Sequence, residues 1–345
     1  MQLTAIIKLR PDKSQEMLLL NTMKCYTQSI NSCVDWMFMF DELDSLSSKH
    51  IIADLPAAVK NQVIREARSI FIKYKRGKVQ KLPVLKKLQA VWNNQNYKVL
   101  SDTISFPITT AGKTERIQVK AVIPEELFKL LSNSALGTLR ITVRNSKWIA
   151  QITYYVDEKT SSCDGIMGID LGIKCPAVCY TNNGKVKFIG NGRHNRLIRR
   201  KYYARRKKLG KAKKTKAIQK TKHKEKAIMR DIDHKTSRQI VDFAVSNGIK
   251  TIKIEKLQNI RKRTTSKSRK NNRAINSWSF YRLAQYIEYK ANLRGIEVQF
   301  VNPAYTSQIC PQCGKLNHAN DRTYQCECGF HCHRDLVGAR NILVA

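Results

Sequence analysis

The sequence predicts a mixed α/β protein with more than one domain, and three observations support that prediction. Residues 97–156 carry short runs of β-branched and aromatic residues, whereas strands and longer helical stretches alternate after residue 164. Five of the ten cysteines crowd between Cys310 and Cys332. With 345 residues, 42% of them hydrophobic, the chain is long enough for two or three domains with cores of their own.

The net charge indicates the class of partner. Lysine and arginine number 64 against 26 acidic residues, which leaves a formal charge of +38. Such a surplus repels itself in a folded chain, so a polyanion that neutralises it is the best explanation. A solubility or membrane-surface role is the alternative. We expect nucleic acid, and no membrane partner, because no apolar run approaches the roughly 18 residues of a membrane span. The N-terminus also lacks the pattern of a signal peptide, so we expect a soluble intracellular protein.

The N-terminal part predicts one strand and two helices. Residues 2–10 have strand character and stop at Pro11, and Ser14 offers an N-cap for a helix that reaches about Phe40. A second helix is predicted over 56–74, with one apolar face and basic residues mainly off that face. These helices suit a lobe that handles nucleic acid, and an ordinary helical packing unit explains them about as well.

Four strands are predicted next, over 103–108, 116–122, 138–143 and 148–156. Asn145-Ser146 between the last two is a two-residue hairpin signal. Short strands with turn signals indicate a small barrel or sandwich. If residues 1–10 add a strand, the two helices are an insertion in that barrel.

An α/β core is predicted after a boundary near residue 164. Strands over 166–173, 176–181 and 185–190 form a meander, whose second turn is Asn183-Gly184. The rest of this region is predicted as a helical stretch over 195–247, a buried strand over 251–255, a helix over 277–294 and a strand over 296–301.

Three acids stand out against the basic background. Asp170 and Glu255 lie at the ends of predicted strands, and Asp335 opens the last predicted helix. Acids in these places are expected to converge above one edge of a sheet. The alternative is that each of them is an ordinary surface acid, as a lone acid usually is. Asp170 is hard to explain as a surface acid, because it lies in an apolar run where an unpaired carboxylate is costly.

Such a cluster suits phosphodiester cleavage. Two Mg²⁺ ions about 3.5–4 Å apart activate water and stabilise charge on the leaving oxygen. Mg²⁺ prefers oxygen ligands and keeps several waters, so three carboxylates suffice. We expect Asp170 to bridge two ions, with Glu255 and Asp335 each holding one side.

The crowded cysteines predict a structural zinc site. Cys310 and Cys313 form a C-x-x-C knuckle followed by glycine, and Cys326 and Cys328 form a second pair. The second pair has C-x-C spacing, so Cys332, His331 or His333 are alternatives for one ligand. Four thiolates leave no position open for water, which indicates a structural ion. Because the ribbon directly precedes Asp335, zinc binding and activity are expected to be coupled.

Two segments are strongly basic. Residues 193–230 hold 18 lysines or arginines and one acid. The candidates for a face that tracks phosphates share one predicted helical stripe: Arg196, Arg199, Arg200, Tyr203 and Lys207. A solvated helix is the alternative. A second run over 261–273 is predicted to be a mobile loop that orders on nucleic acid and could gate the acids.

The ordered motifs resemble the TnpB family of RNA-guided DNA endonucleases from insertion sequences, which are related to type V CRISPR effectors. The matching segments are GIDLG, IEKL, WSFYRLAQYIEYKANLRGIEV, NPAYTSQICPQCG and CECGFHCHRDLVGARN. The resemblance covers about residues 165–345, and the N-terminal half more loosely. It implies an RNase H-like (RuvC-type) core that uses Asp170, Glu255 and Asp335, with a zinc ribbon on Cys310, Cys313, Cys326 and Cys328.

The resemblance also implies a domain plan and partners. A wedge-like β-barrel would comprise residues 1–10 and 96–160, with a helical recognition lobe over 11–95. The nuclease core would span 164–301 and 334–345, with basic helices over 193–247 and the ribbon inserted over 302–333. A guide RNA would pair with double-stranded target DNA while the protein reads a short flanking motif. A cytoplasmic, nucleoid-associated prokaryotic protein is implied, as a monomer or a homodimer.

Two other functions remain open on the sequence. A repressor that kept the guide and lost cleavage would bind without cutting, although the three acids argue against it. A DNA-joining transposase on the same fold would use similar carboxylates and metals. Joined rather than cut products would distinguish the transposase.

Overall fold

The computed structural model describes residues 1–157, 163–257, 268–319 and 322–345. The chain divides into two compact units, Met1–Asp157 and Glu158–Ala345. Each unit has its own hydrophobic core, as the composition predicted. No helix among the described residues has both the length and the apolar character that crossing a bilayer requires.

An antiparallel sheet of seven strands organises the first unit. In chain order the strands are β1 (Gln2–Leu9), β2 (Gln89–Trp92), β3 (Lys98–Val99), β4 (Thr103–Thr110), β5 (Lys113–Val122), β6 (Ala135–Arg144) and β7 (Lys147–Tyr155). Their order in the sheet is β2-β6-β7-β1-β5-β4-β3. The N-terminal strand therefore lies in the middle of the sheet, between β7 and β5, although more than a hundred residues separate it from both in sequence.

The sheet is curled, and its edges remain open. Among residues 1–157, the edge strands β2 and β3 each pair on one side. The ring of Trp92 on β2 nevertheless lies 4.7 Å from that of Phe106 on β4, and its indole N–H donates to the Pro107 carbonyl at 2.9 Å. The predicted barrel is thus realised as a curled sheet. Its β6–β7 hairpin turns at Asn145 and Ser146, which both have positive φ, as the turn signal predicted.

Three helices accompany this sheet: α1 (Lys13–Phe40), α2 (Ala57–Lys75) and α3 (Glu125–Ser132). α1 and α2 match the predicted pair and pack on each other and on β2. The N-cap of α1 is Asp12 and not Ser14 as predicted, because Asp12 and Gln15 form a reciprocal capping box. Three of these helices and strands were not predicted. They are α3, the two-residue strand β3 and the short strand β2, which lies inside the range assigned to the helical lobe.

A sheet of five strands forms the centre of the second unit. In chain order the strands are β8 (Gly165–Asp170), β9 (Ala177–Thr181), β10 (Val186–Ile189), β11 (Ile249–Glu255) and β12 (Glu297–Val301). The sheet order is β10-β9-β8-β11-β12. The first three strands are antiparallel, whereas β11 runs parallel to both β8 and β12. This is the predicted meander followed by strands that alternate with helices.

Helices cover both faces of this sheet. They are α4 (Gly192–Lys211), α5 (Thr215–Ser246), α6 (Arg269–Ser277), α7 (Phe280–Asn292) and α8 (Arg334–Val344). Met167 and Ile169 of β8 join the core that α5 and α7 complete. Gly168, on the opposite face of the same strand, lies against α8. A Cβ on Gly168 would fall 2.2 Å from the Ala339 carbonyl oxygen, so only glycine allows this close approach.

Two predictions for the helical regions need correction. The stretch over 195–247 is two helices, because the chain turns between α4 and α5 and Lys213 adopts a positive φ there. The predicted loop over 261–273 contains the start of α6, capped by the Ser268 side chain at the backbone of Asn271. Residues 261–267 of that predicted loop lie outside the described residues.

The segment before α8 carries a small hairpin. Its strands are β13 (Thr323–Gln325) and β14 (His331–His333), which pair antiparallel. Tyr324 is fully buried beside Cys310, Cys326 and Val337 of α8. This core is small, so other forces must help to hold the hairpin in place.

Candidate active site and cysteine cluster

Asp170 lies at the end of the central strand β8, on the face covered by α8. Strand alternation places its side chain on the same side as Gly168. A Cβ on Gly338 of α8 would lie 3.2 Å from the Asp170 Cγ, so a glycine also marks this close approach. The carboxylate is therefore held between the sheet and the last helix.

Glu255 reaches the same edge of the sheet from the neighbouring strand. β11 runs parallel to β8, with Ile254 opposite Ile169, so both strands end side by side. The Thr306 hydroxyl donates a hydrogen bond to the Glu255 carboxylate. Thr306 is itself buried. This contact orients Glu255.

Asp335 enters from the first turn of α8 and is also buried. Arg322 contacts both of its carboxylate oxygens, with Nη1 at 2.5 Å from Oδ1 and 2.6 Å from Oδ2. The backbone N–H of Asp335 donates to Nδ1 of His333 at 3.2 Å, so His333 caps the helix. One turn of helix separates Asp335 from Gly338, which faces Asp170.

Asp170 is the member of the cluster whose ionisation the other two acids oppose. Burial, followed by the charges of Glu255 and Asp335, raises the pKa of Asp170 to about 8, against the lowering effect of Arg334 and Arg322. Burial also raises the pKa of Glu255, against the hydrogen bond from Thr306. Among the described residues, no hydrogen bond or salt bridge reaches the Asp170 side chain. Hard oxygen donors that are buried and mutually repelling fit a divalent cation such as Mg²⁺.

Four cysteines converge on one point in the ribbon. The thiol sulfurs of Cys310, Cys313, Cys326 and Cys328 all lie within 4.8 Å of one another. These four could hold a zinc ion, for which four thiolates make a closed tetrahedral site. Because Cys328 lies in this group, the C-x-C spacing of Cys326 and Cys328 allows both thiols to reach the same point. Of the alternatives, His333 caps α8, while His331 and Cys332 lie on β14.

Hydrogen bonds connect the ribbon to the acids. Asn341 of α8 donates from Nδ2 to the carbonyls of Thr306 and Ile309, both at 2.7 Å. Thr306 contacts Glu255, and the Tyr324 hydroxyl donates to the Gln308 carbonyl at 2.9 Å. The segment that precedes the first cysteine knuckle is therefore held between α8 and the Glu255 carboxylate.

Comparisons with known proteins agree with this arrangement. A family model described as a probable transposase matches residues 151–261, and the Cas12f1-like TNB domain matches residues 280–342. The CRISPR-associated endodeoxyribonuclease Cas12f1 of Sulfoacidibacillus thermotolerans is 31% identical over 221 residues, 58% of this chain and 51% of that protein. A TnpB-like protein of Methanocaldococcus jannaschii is 37% identical over 121 residues, 34% of this chain and 43% of that protein.

This chain belongs to the TnpB family. A solved Cas12f1–sgRNA–target DNA complex matches its fold with a TM-score of 0.72 and 18% identity, over 95% of this chain and 82% of that one. The mixed α/β fold class is thereby confirmed. The chain spans about half the length of the curated relatives it matches.

The five nucleic-acid candidates of this TnpB-family chain all lie on α4, with different surroundings. Arg200, Tyr203 and Lys207 are exposed, whereas Arg196 and Arg199 are half-buried. Arg199 lies 3.7 Å from the Glu225 carboxylate of α5, to which Arg206 also pairs. The guanidinium of Arg273 covers one face of the Tyr203 ring at 4.0 Å. The exposed members remain candidates for phosphate contact, and Arg199 also joins α4 to α5.

Sequence reasoning missed Arg322 and Thr306. Arg322 lies in a run of polar residues between the two knuckles, where one more basic residue in a basic chain gives no signal. Thr306 follows a predicted strand and carries no charge. Both matter because folding brings them to acids that lie 13 and 51 residues away.

Proposed function

We propose that this chain is an RNA-guided, Mg²⁺-dependent DNA endonuclease of the TnpB type, with a single RuvC-like site on an RNase H-like core. The supporting observation is the cluster of Asp170, Glu255 and Asp335 at one edge of the sheet. Two of the three carboxyls have a raised pKa, and the chain that holds them is otherwise strongly basic. A buried acidic cluster is costly to maintain unless a cation or substrate uses it.

Each residue has a distinct task in this proposal. Asp170, Glu255 and Asp335 would hold two Mg²⁺ ions, which supply an activated water and stabilise the leaving oxygen. Thr306 keeps the Glu255 carboxylate oriented through its hydrogen bond. Arg322 neutralises Asp335 and contacts both of its oxygens, so it compensates the charge of the cluster until a cation binds.

The guide and target are inferred from the relatives and from charge. The matched Cas12f1 structure is a complex with sgRNA and target DNA, and a chain of net charge +38 suits two nucleic acids. We assign the curled sheet to a wedge domain, α1 and α2 to a recognition lobe, and the cysteine cluster to one structural zinc ion. Cleavage beside a short flanking motif follows the division of labour in RNA-guided effectors.

The test is to express the chain together with its flanking genomic DNA and to sequence the RNA that co-purifies. The purified complex then receives Mg²⁺ and a matching target with a randomised flank. A discrete RNA, and cuts that depend on the flank, are expected. Asp170→Ala should abolish cutting and retain binding. Asp231→Ala, an exposed acid paired with Lys235 on α5, is the matched control and should cut normally.

The other outcomes identify the alternatives. A discrete RNA with target binding, and no cuts by the unmodified chain, would identify a repressor. Joined products would identify a transposase. Absence of any specific RNA would reject the guided function and leave a metal-dependent nuclease.

A further inference from the structure

Arg340 lies on α8, the helix that carries Asp335, and its guanidinium lies over two aromatic rings. The guanidinium carbon is 4.8 Å from the ring centroid of Tyr180 and 5.7 Å from that of Phe330. Tyr180 belongs to β9, whereas Phe330 directly precedes β14 in the cysteine ribbon. One side chain therefore joins the sheet, the ribbon and the last helix of the second unit.

The two rings belong to residues that are already connected to the candidate site and to the cysteine cluster. Tyr180 pairs with Gly168 across β9 and β8, and Gly168 is the residue that allows α8 to approach the sheet. The Phe330 carbonyl accepts the backbone N–H of Cys326 at 2.9 Å, which holds that ring close to the second cysteine pair. A shift of one ring relative to the other would therefore move the ribbon relative to the strand that carries Asp170.

Apolar packing does not explain an arginine at this position. The Nε of Arg340 is buried, and no atom among the residues that the structure describes accepts a hydrogen bond from it. A buried N–H without an acceptor costs stability, and a methionine of similar length would fill the space without that cost. A guanidinium offers what methionine lacks, because its positive charge is attracted to the faces of both rings. The charge is therefore the property that this position uses.

We propose that Arg340 is a positioning residue for the metal site. Its attraction to Tyr180 and Phe330 fixes α8 to the sheet and to the ribbon at once, and so sets where the first turn of that helix presents Asp335. This inference rests on the proposed function, because it assumes that Asp335 and the two strand acids hold Mg²⁺. It adds how a helix that follows the ribbon is held where its acid meets the other two.

The test compares Mg²⁺ binding by the complete chain, freed of nucleic acid, and by its variants in a calorimetric titration. The heat that persists in Asp170→Ala is subtracted as binding elsewhere on the chain. Arg340→Met keeps a side chain that packs well on rings and removes the charge. It should bind Mg²⁺ about tenfold more weakly, as is typical when a group that orients metal ligands is lost. Arg340→Lys restores a cation over the rings and should bind within about threefold of the unmodified chain.

Variants of the ring test the same contact independently. Tyr180→Leu should weaken Mg²⁺ binding about as much as Arg340→Met, whereas Tyr180→Phe keeps the ring and should bind within about twofold of the unmodified chain. Lys187→Gln is the matched control, because Lys187 lies over the Phe243 ring at 5.2 Å and this pair involves neither the ribbon nor α8. A loss in Lys187→Gln as large as that in Arg340→Met would assign the effect to net charge and overturn the inference.

Hydrogen exchange distinguishes positioning from a general loss of stability. In Arg340→Met the backbone amides of β13, β14 and the first turn of α8 should exchange faster than in the unmodified chain, while those of β8 should not change. If Arg340→Met instead exchanges faster throughout the second unit and binds Mg²⁺ normally, Arg340 is only a structural residue and the inference is wrong.

The outcomes also separate this inference from the proposed function. Mg²⁺ binding that depends on Asp170 and is equally strong in Arg340→Met would reject the inference alone. Absence of such binding in the unmodified chain would reject the Mg²⁺ site, and the inference with it. A chain that loses Mg²⁺ binding in Arg340→Met and never cuts DNA would reject the nuclease function and keep the positioning role.

Discussion

Asp170 is the residue of the candidate site whose ionised carboxylate is most unfavourable in the folded chain. Its carboxyl is buried on a central strand, and two further acids raise its pKa in addition to burial. Such a group destabilises the chain without a cation, because the folded state disfavours the ionised form. A functional acid and a structural acid can therefore be distinguished by opposite effects on stability.

We predict that Asp170→Asn stabilises the chain in magnesium-free buffer. The pKa of the Asp170 carboxyl is about 8 in the folded chain, against an ordinary value of 3.8. At a pH between these two values the folded chain keeps a proton on Asp170 that the unfolded chain releases. The free energy of unfolding therefore falls as the pH rises from about 4 to about 8. The free energy of unfolding of Asp170→Asn should exceed that of the unmodified chain by an amount that grows from pH 5 to pH 8 and reaches a few kcal/mol. Thermal unfolding with and without Mg²⁺ measures it, and Mg²⁺ should raise the Tm of the unmodified chain alone.

Asp233→Asn is the matched control for that comparison. Asp233 is also buried, but Arg282 and Ser279 bond to it, so its amide variant should be less stable at every pH tested. A rise in Tm for both variants, or for neither, would contradict the difference in their roles. The magnesium-free buffer should contain no chelator, because a chelator would also remove any metal ion that the four-cysteine cluster holds.

We predict that Arg322→Gln lowers the Tm in magnesium-free buffer by a few degrees. The substitution leaves the Asp335 carboxylate without the guanidinium that bonds both of its oxygens. The rise in Tm on adding Mg²⁺ should be larger than in the unmodified chain, since the cation then replaces a missing positive charge. Arg322→Lys should fall between the two. A smaller Mg²⁺ effect in Arg322→Gln would show that Arg322 helps to bind the ion.

At the scale of elements, the contact between β8 and α8 determines where Asp335 lies. We predict that Gly168→Ala destabilises the second unit by roughly 1–3 kcal/mol, because its Cβ would overlap backbone atoms of Ala339 and Leu343. The rise in Tm on adding Mg²⁺ should also be smaller in Gly168→Ala than in the unmodified chain. Gly210→Ala, in an open position on α4 with no atom within 4 Å, should be neutral or stabilising by about 0.5–1 kcal/mol. Equal changes in stability for Gly168→Ala and Gly210→Ala would contradict the close packing of β8 against α8.

The ribbon is the second element whose integrity affects α8. We predict that Cys310→Ser lowers bound zinc and the Tm together, because the ribbon core of Cys310, Tyr324, Cys326 and Val337 is too small to fold alone. Atomic spectroscopy of the purified chain measures the zinc. Cys332→Ser changes a cysteine of the same ribbon outside the four-sulfur cluster and should keep one zinc ion. Equal zinc loss in both variants would give Cys332 a ligand role.

The sequence predicted those elements that depend on short-range sequence patterns. The Asn145-Ser146 turn and the strand ends at Asp170 and Glu255 follow from short-range patterns, and the structure has them. β2 was missed because its four residues become a strand only by pairing with β6, about fifty residues later. The roles of the three acids and of the α4 cations remain predictions. The contacts of Arg322 and Thr306 depend on tertiary packing that no local pattern encodes.

At the scale of the whole molecule, charge has two opposite consequences. A net charge of +38 disfavours the compact chain on its own and favours its complexes with polyanions. Added salt screens both effects, so it should stabilise the free chain and weaken the complex. Ion pairs within the chain, such as Arg206 with Glu225, remove some cations from nucleic-acid binding. Only cations without such partners should contribute to the salt dependence of binding.

We predict that the double variant Arg200→Gln with Lys207→Gln reduces the salt dependence of single-strand binding by about 1.4. This value is the change in the slope of log K against log salt concentration, because each phosphate contact on a single strand contributes about 0.7. Fluorescence anisotropy with a homopolymer probe at several salt concentrations measures it. Lys235→Gln removes a cation already paired with Asp231 at 2.8 Å and should leave the slope unchanged. An unchanged slope in the double variant would mean that α4 is a solvated helix, and nucleic acid would then have to bind other basic surfaces of the chain.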